Sequence, residues 1–136
     1  MDRNYLSQSI DDEEYLYRGI TSHQWDSQNN RVTSAAYKDS LGVSVDRSGG
    51  RGEDACVSRL LQIKPFIAIG KLLVKFVRDK ELLVKYKPTE DNEYHSEIHQ
   101  SEEKIELTTG QAKSLSRETT VVYQQNNEII SGEPEG

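Results

Sequence analysis

The spacing of hydrophobic and polar residues changes several times along this chain, and each change predicts an element. Tyr15-Leu16-Tyr17-Arg18-Gly19-Ile20 mixes aromatic and aliphatic side chains, which predicts a short strand with Gly19 near its end. Thr21 or Ser22 is suited to cap one helical turn through His23, Gln24 and Trp25, and Asp26-Ser27-Gln28-Asn29-Asn30 is a turn by composition. Residues 31–38 read as extended or irregular. Leu41, Val43 and Val45 alternate with Gly42, Ser44 and Asp46, so a half-buried strand is expected with the three aliphatic residues on one face. Ser48-Gly49-Gly50-Arg51-Gly52 is a flexible loop.

Residues 53–63 form the clearest helix of the first half, with Cys56, Val57, Leu60, Leu61 and Ile63 along one stripe. Glu53 and Asp54 suit its positive end, and Pro65 prevents extension. The apolar runs 66–77 and 82–86, separated by Arg78-Asp79-Lys80-Glu81, predict a hairpin whose first strand is long and central. A helix over 72–84 fits the periodicity as well; the β-branched content and the Asp79-Lys80 break favour strands. Residues 88–92 form a loop, and 93–100 suit either a strand or a short helix. Thr108-Thr109-Gly110 opens a second helix that reaches Glu118 and turns Ala112 and Leu115 to a core, and 119–123 is a last strand. The expected fold is therefore α+β, with a mainly antiparallel sheet and two principal helices. A flexible arm (1–10), one domain (11–123) and a disordered acidic tail (124–136) complete it.

Composition narrows the class. A chain of 136 residues has room for one core. Gly70, Lys71 and Lys75 interrupt the longest apolar run, which excludes a membrane-spanning helix there. Cys56 is the only cysteine, so neither a disulfide scaffold nor a cysteine-paired zinc site is available. The start lacks a basic segment followed by an apolar one, and the expected location is the cytoplasm. Net charge is −6, unevenly spread: 2 basic and 6 acidic side chains in residues 1–30, 12 and 6 in 31–87, 3 and 11 in 88–136. Acidic ends oppose attraction to a polyanion, so duplex nucleic acid is not an expected partner; a small anionic ligand or a protein partner fits the map better. Lys71, Lys75, Lys85 and Lys87 read most simply as solvated positions on strands.

Few residues carry candidate chemistry. Arg18 follows three strand residues and is the side chain best suited to clamp a phosphate, unless it pairs with the acidic run Asp11-Asp12-Glu13-Glu14. Gly49-Gly50-Arg51-Gly52 precedes a helix but lacks the phosphate-loop pattern, and Glu53 and Asp54 occupy the place of the anion. His95 and His99 flank Glu97 without a His-Glu-x-x-His arrangement, so no metal site is expected; His95 is the better candidate as a proton carrier beside the 88–92 loop. Cys56 lies on the apolar stripe and reads as a core residue rather than a reactive thiol. Ser34 and Ser44 sit beside apolar positions, where they line a cleft or face water.

The segments Leu16-Tyr17-Arg18, Thr33-Ser34-Ala35-Ala36-Tyr37-Lys38, Val43-Ser44-Val45-Asp46-Arg47 and Pro88-x-x-Asp91-Asn92-x-x-His95-x-x-Ile98 occur in that order over roughly residues 16–98. This series resembles a group of small uncharacterised bacterial proteins with LYR, SSAAFK, LSVDR and PxxxNPAHxxI segments, where Glu93 and Tyr94 replace the usual Pro and Ala. The resemblance implies a family and no particular reaction. Tyr17-Arg18-Gly19 is also similar to the first strand of the NAD-binding sheet in some mono-ADP-ribosyltransferases. That likeness points to Arg18 and Ser44 and to NAD as a ligand to test. Here Ser-Thr-Ser is missing, and Glu103 and Glu106 form Glu-x-x-Glu where those enzymes carry Glu-x-Glu.

Two functions follow as expectations. One is a non-catalytic protein-interaction module of a regulatory or conflict system, using the acidic ends and basic middle. The other is a small enzyme or binder of a nucleotide-like anion, with Arg18 as clamp, Ser34 or Ser44 as hydrogen-bonding wall and His95 as acid–base group. The second requires Arg18, Ser44 and His95 to converge on one cleft.

Overall fold

A computed structural model describes residues 6–125. Its centre is a six-stranded antiparallel sheet of order β6-β7-β4-β1-β5-β8, formed by β1 (Tyr15–Ile20), β4 (Val43–Arg47), β5 (Ala68–Leu73), β6 (Leu83–Tyr86), β7 (His95–His99) and β8 (Thr120–Gln124). A two-stranded ribbon of β2 (Trp25–Asp26) and β3 (Arg31–Val32) stands beside it. The helices are α1 (Glu53–Ile63), α2 (Val74–Asp79) and α3 (Thr109–Glu118). The fold is α+β with two principal helices.

Alternation along the strands builds two apolar layers. Leu16 and Ile20 of β1, Val43 and Val45 of β4 and Ile98 of β7 enter the larger core, with Tyr37, Val74, Val77, Ala112 and Leu115. Tyr17 and Ile69 point to the other face, where Cys56 and Leu60 of α1 cover them. Thr108 caps α3 by accepting from the Gln111 N–H (3.1 Å), and Gln111 Oε1 accepts from the Thr108 N–H (2.8 Å), a reciprocal box that fixes where the helix begins.

The expected hairpin over 66–86 is not formed. β5 stops at Leu73, α2 follows, and β6 lies on the opposite edge of the sheet, four strand spacings from β5. That is roughly 19 Å, too far for a tight turn. Val74 and Val77, three residues apart, are both fully buried, and this helical spacing overrides the β propensity of the run. Glu81, at φ 64°, ends the excursion and lets the chain enter β6.

Smaller departures follow from local geometry. Leu41 is 80 % exposed because the chain joins β4 only at Val43. Ile63, at the end of α1, also faces outward. Trp25 begins β2 instead of closing the helical turn, which covers Ser22–Gln24, and Lys75 lies on α2 rather than on a strand. The segment 93–100 resolves as strand β7. Expected disorder at 1–5 and 126–136 falls outside the described residues; Ile10 is buried, and Arg47 donates to the carbonyls of Ser7 (2.6 Å) and Ser9 (3.2 Å). Glu14, from the acidic run, pairs with Arg47 and not with Arg18. Among the described residues no helix is long and apolar enough to cross a membrane.

Candidate functional site

Helix α1 covers only part of its face of the sheet. Gly52 caps it, and Pro65 ends it, since proline offers no N–H and forces Lys64 into extended geometry (φ −160°, ψ 146°). The chain then returns with Phe66 lying on Gly19, where any Cβ would sit 2.4 Å from the ring. Glycine is thus required at position 19 by the close approach of an aromatic ring. Beyond this contact, between the end of α1 and strands β4 and β7, lies a cavity of about 220 Å³.

Arg18, Ser44 and His95, three residues distant in sequence, all border this cavity, but only Ser44 and His95 stand on the face of the sheet that α1 covers; the Arg18 side chain lies on the opposite face, with Leu16 and Ile20. Ser34 does not border it; it opens a 3-10 turn over Ser34–Tyr37. Arg18 is half-buried, and its guanidinium is partly engaged by the protein itself. Its Nε donates to the Ala36 carbonyl (2.9 Å) and its Nη1 to the Ser44 carbonyl (2.8 Å). The paired register of β1 and β4 covers only Leu16 with Arg47 and Tyr17 with Asp46, and Arg18 links the two strands beyond it. Burial pulls its pKa down, against the Tyr37 and Asp39 charges that raise it.

Two further polar residues complete the wall. Asp46 stands opposite His95 in the β4–β7 register and is 3 % exposed. Its Oδ1 accepts from Asn92 Nδ2 (2.9 Å), while its Oδ2 is buried and accepts from no described residue. Asn92 is held in turn: its Oδ1 accepts from the Tyr94 N–H (2.9 Å) and its own N–H donates to Thr89 Oγ1 (3.0 Å). Arg59 of α1 donates to the Asp91 carbonyl and ties this loop to the helix above the cavity.

Behind His95 runs a row of polar side chains on alternate positions of β7. His95 Nε2 lies 3.4 Å from Glu97 Oε2, and His99 Nε2 lies 2.8 Å from Glu97 Oε1. Burial raises the Glu97 pKa, but the hydrogen bonds from His99 and His95 and the Lys87 charge outweigh it and hold the carboxyl below its ordinary value. Gly42, at φ 107°, packs against this row; a Cβ there would lie 2.7 Å from Glu97 Oε1. Glu97 therefore orients His95 at the cavity wall, the arrangement an acid–base imidazole requires. Among the described residues no group of three or more His, Cys, Asp or Glu is placed to hold a metal ion.

Other candidates lie elsewhere. The Gly49 N–H donates to Glu14 Oε1 (2.9 Å), so the glycine loop is occupied by a carboxylate of the chain itself. Cys56 is fully buried on the sheet-facing side of α1, and burial pushes its thiol pKa up. Lys71, Lys75 and Lys85 pair with Glu53, Asp79 and Glu102. Reasoning from the sequence missed Asp46, Asn92 and Glu97 as site residues. Their signal was present in the Val43-Ser44-Val45-Asp46-Arg47 and Pro88-to-Ile98 segments, where they sit beside Ser44 and His95. Against family models, curated proteins and solved structures, the chain matches none.

Proposed function

We propose that this protein binds a small organic ligand in the cavity between the end of α1, β4 and the Asn92–His95 corner, with His95 positioned for acid–base chemistry on it. One observation carries the reading: Ser44, Asp46, Asn92 and His95 line a single cavity of about 220 Å³, where the polar residues of β4, β7 and the loop before it meet Leu60, Ile63 and Phe66 at the end of α1. The test is a melting-shift screen of the full chain with nucleobases, nucleotides, NAD and divalent metals, repeated on Ser44→Tyr. Ser44 is exposed and lines the cavity, so tyrosine fills the space without disturbing the core. A shift in the wild type that Ser44→Tyr loses supports the reading; no shift with any compound ends it.

A second reading, the interaction module, is favoured by β6. The Lys87 N–H donates to the His95 carbonyl, and the register continues through Lys85–Glu97 and Leu83–His99. By the antiparallel pattern the backbone groups of Val84 and Tyr86 then face the open edge. A groove lined by Arg78, Lys85 and Lys87, by Glu81 and Glu102, and by Leu83 and Val84 runs along it with one positive charge in excess, Lys85 being paired with Glu102 and Arg78 with Asp12. An extended acidic segment of a partner protein fits this edge as an added strand. Peptides selected from a displayed random library are expected to be acidic and to lose binding to Val84→Pro, which removes an outward N–H. Enrichment of neutral or basic peptides, or binding indifferent to Val84→Pro, overturns the reading.

A further inference from the structure

Resting on the reading of this cavity as a ligand site, we infer that His95 meets the occupant through Nδ1 as a proton acceptor, so that the occupant is a molecule with an apolar body presenting an O–H or N–H group there. The ring proton is accounted for on the other side. An ionised carboxylate accepts hydrogen bonds and donates none. Glu97 is such a carboxylate: burial raises its pKa, but the hydrogen bonds from His99 and His95 and the Lys87 charge outweigh it and hold the group below its ordinary value. Both imidazole nitrogens that face it, His95 Nε2 at 3.4 Å and His99 Nε2 at 2.8 Å, therefore carry the hydrogen. A neutral imidazole has one N–H, so with the proton on Nε2 the Nδ1 of His95 is left as a bare acceptor.

Nothing among the described residues takes up this acceptor. His95 Nδ1 has no hydrogen-bond partner there, yet the only buried side-chain atom without one is Asp46 Oδ2. The Nδ1 atom is consequently open to solvent, on a residue that lines the cavity together with Ser44 on the same face of the sheet. The tautomer is held from behind. Glu97 is pinned by its shorter bond to His99 and by Gly42, where a Cβ would lie 2.7 Å from Glu97 Oε1. An anion brings a second acceptor against Nδ1, whereas a donor completes it. Leu60, Ile63 and Phe66 form the apolar part of the wall, which the body of the occupant covers.

Two measurements on the full chain test this. Iodoacetamide alkylates an unprotonated ring nitrogen: the lone pair displaces iodide, an N–CH2 bond forms, and the ring then releases its remaining proton to water. Peptide mapping against ring-position standards is expected to find His95 labelled at Nδ1 alone. Calorimetry with phenol and anisole, two rings that differ by the O–H, is expected to favour phenol about tenfold, the worth of one hydrogen bond. The cavity of about 220 Å³ exceeds the roughly 150 Å³ in which an apolar cavity takes benzene. Glu97→Gln gives its one oxygen to His99 and turns its NH2 to His95 Nε2, which moves the ring proton to Nδ1, so both preferences should be lost. The wild-type comparisons stand even if Glu97→Gln does not fold. Labelling at Nε2, or at neither nitrogen, overturns the assignment of Nδ1, and so do preferences unchanged in Glu97→Gln. Equal affinity for the two rings, tighter binding of anisole, or binding of neither overturns the donor on the occupant. All of these leave the ligand site to the melting screen; a screen without any shift removes the site, and its occupant with it, whichever nitrogen is labelled.

Discussion

Asn92 stands between the 88–92 loop and the sheet, giving its amide N–H to Asp46 Oδ1 and its amide oxygen to the Tyr94 N–H. Two contacts so different in kind from one 8 % exposed side chain make it the joint that sets the cavity wall. Asn92→Ala leaves both Asp46 oxygens and the Tyr94 N–H without protein partners. A loss of about 2–4 kcal/mol is expected by urea denaturation, from the desolvation cost of buried polar groups left unpaired. Asp46→Ala in the same background should restore part of it, because the stranded carboxylate is then gone. A double variant no more stable than Asn92→Ala contradicts this coupling.

The Arg47–Glu14 pair predicts an acid limb. Arg47 is 2 % exposed and meets Glu14 through Nε (3.0 Å) and Nη2 (2.7 Å). Burial raises the Glu14 pKa, yet the hydrogen bonds from Arg47 and from the Asp11 and Gly49 N–H groups more than offset it, and the net displacement is below 4.5. A carboxylate with a depressed folded pKa contributes stability above its unfolded pKa, and this is lost as pH falls through the folded one. Glu14→Gln is expected to cost about 3 kcal/mol at pH 7, as for a buried pair deprived of one partner. It should also flatten the stability profile below pH 4.5 relative to the wild type. Parallel profiles for the two proteins would refute this.

How much of this was legible beforehand depends on whether the cause is local. The helix over Glu53–Ile63 was readable to the residue, because its first-turn acids, its stripe and Pro65 all lie within it. The cap at Thr108 was equally local. The path from β5 to β6 was not, since nothing in 66–86 itself states that its second strand pairs with His95–His99. Only tertiary pairing makes Val74–Asp79 helical, and intrinsic propensity lost to it. The same holds for the site. Arg18, Ser44 and His95 were recognisable by type, whereas Asp46 and Asn92 matter only because the loop folds back on β4.

Alkaline pH should expose a different pair of residues. Burial raises the Tyr17 and Tyr37 hydroxyls to about 12 each, and Tyr37 shares a 2.6 Å hydrogen bond with Thr119 Oγ1. A group with a raised folded pKa supports the fold below its unfolded value near 10 and ceases to do so as pH climbs through the folded one. Absorbance titration of phenolate should show these two tyrosines ionising last, together with loss of secondary structure. Tyr37→Phe, which cannot ionise, should move that transition upward while costing about 1 kcal/mol at pH 7 through the lost hydrogen bond. An unchanged alkaline midpoint would count against it.

Gly42 tests the polar row on β7. Its φ of 107° lies where L side chains are strained, and the Cβ of an alanine would fall 2.7 Å from Glu97 Oε1 and 2.8 Å from His99 Nε2. Backbone strain of this kind costs on the order of 1–3 kcal/mol. Gly42→Ala is expected to lose at least that much by urea denaturation, since the carboxylate and imidazole must also part. Gly50 is the control. It also has a positive φ (86°), but nothing lies within 4 Å of its would-be Cβ, so Gly50→Ala should carry backbone strain alone and cost less. Moving Glu97 also releases His95, so Gly42→Ala should weaken ligand binding in the cavity while Gly50→Ala leaves it intact. Equal losses from the two substitutions would show that the Glu97–His99 contact does not hold the row in place.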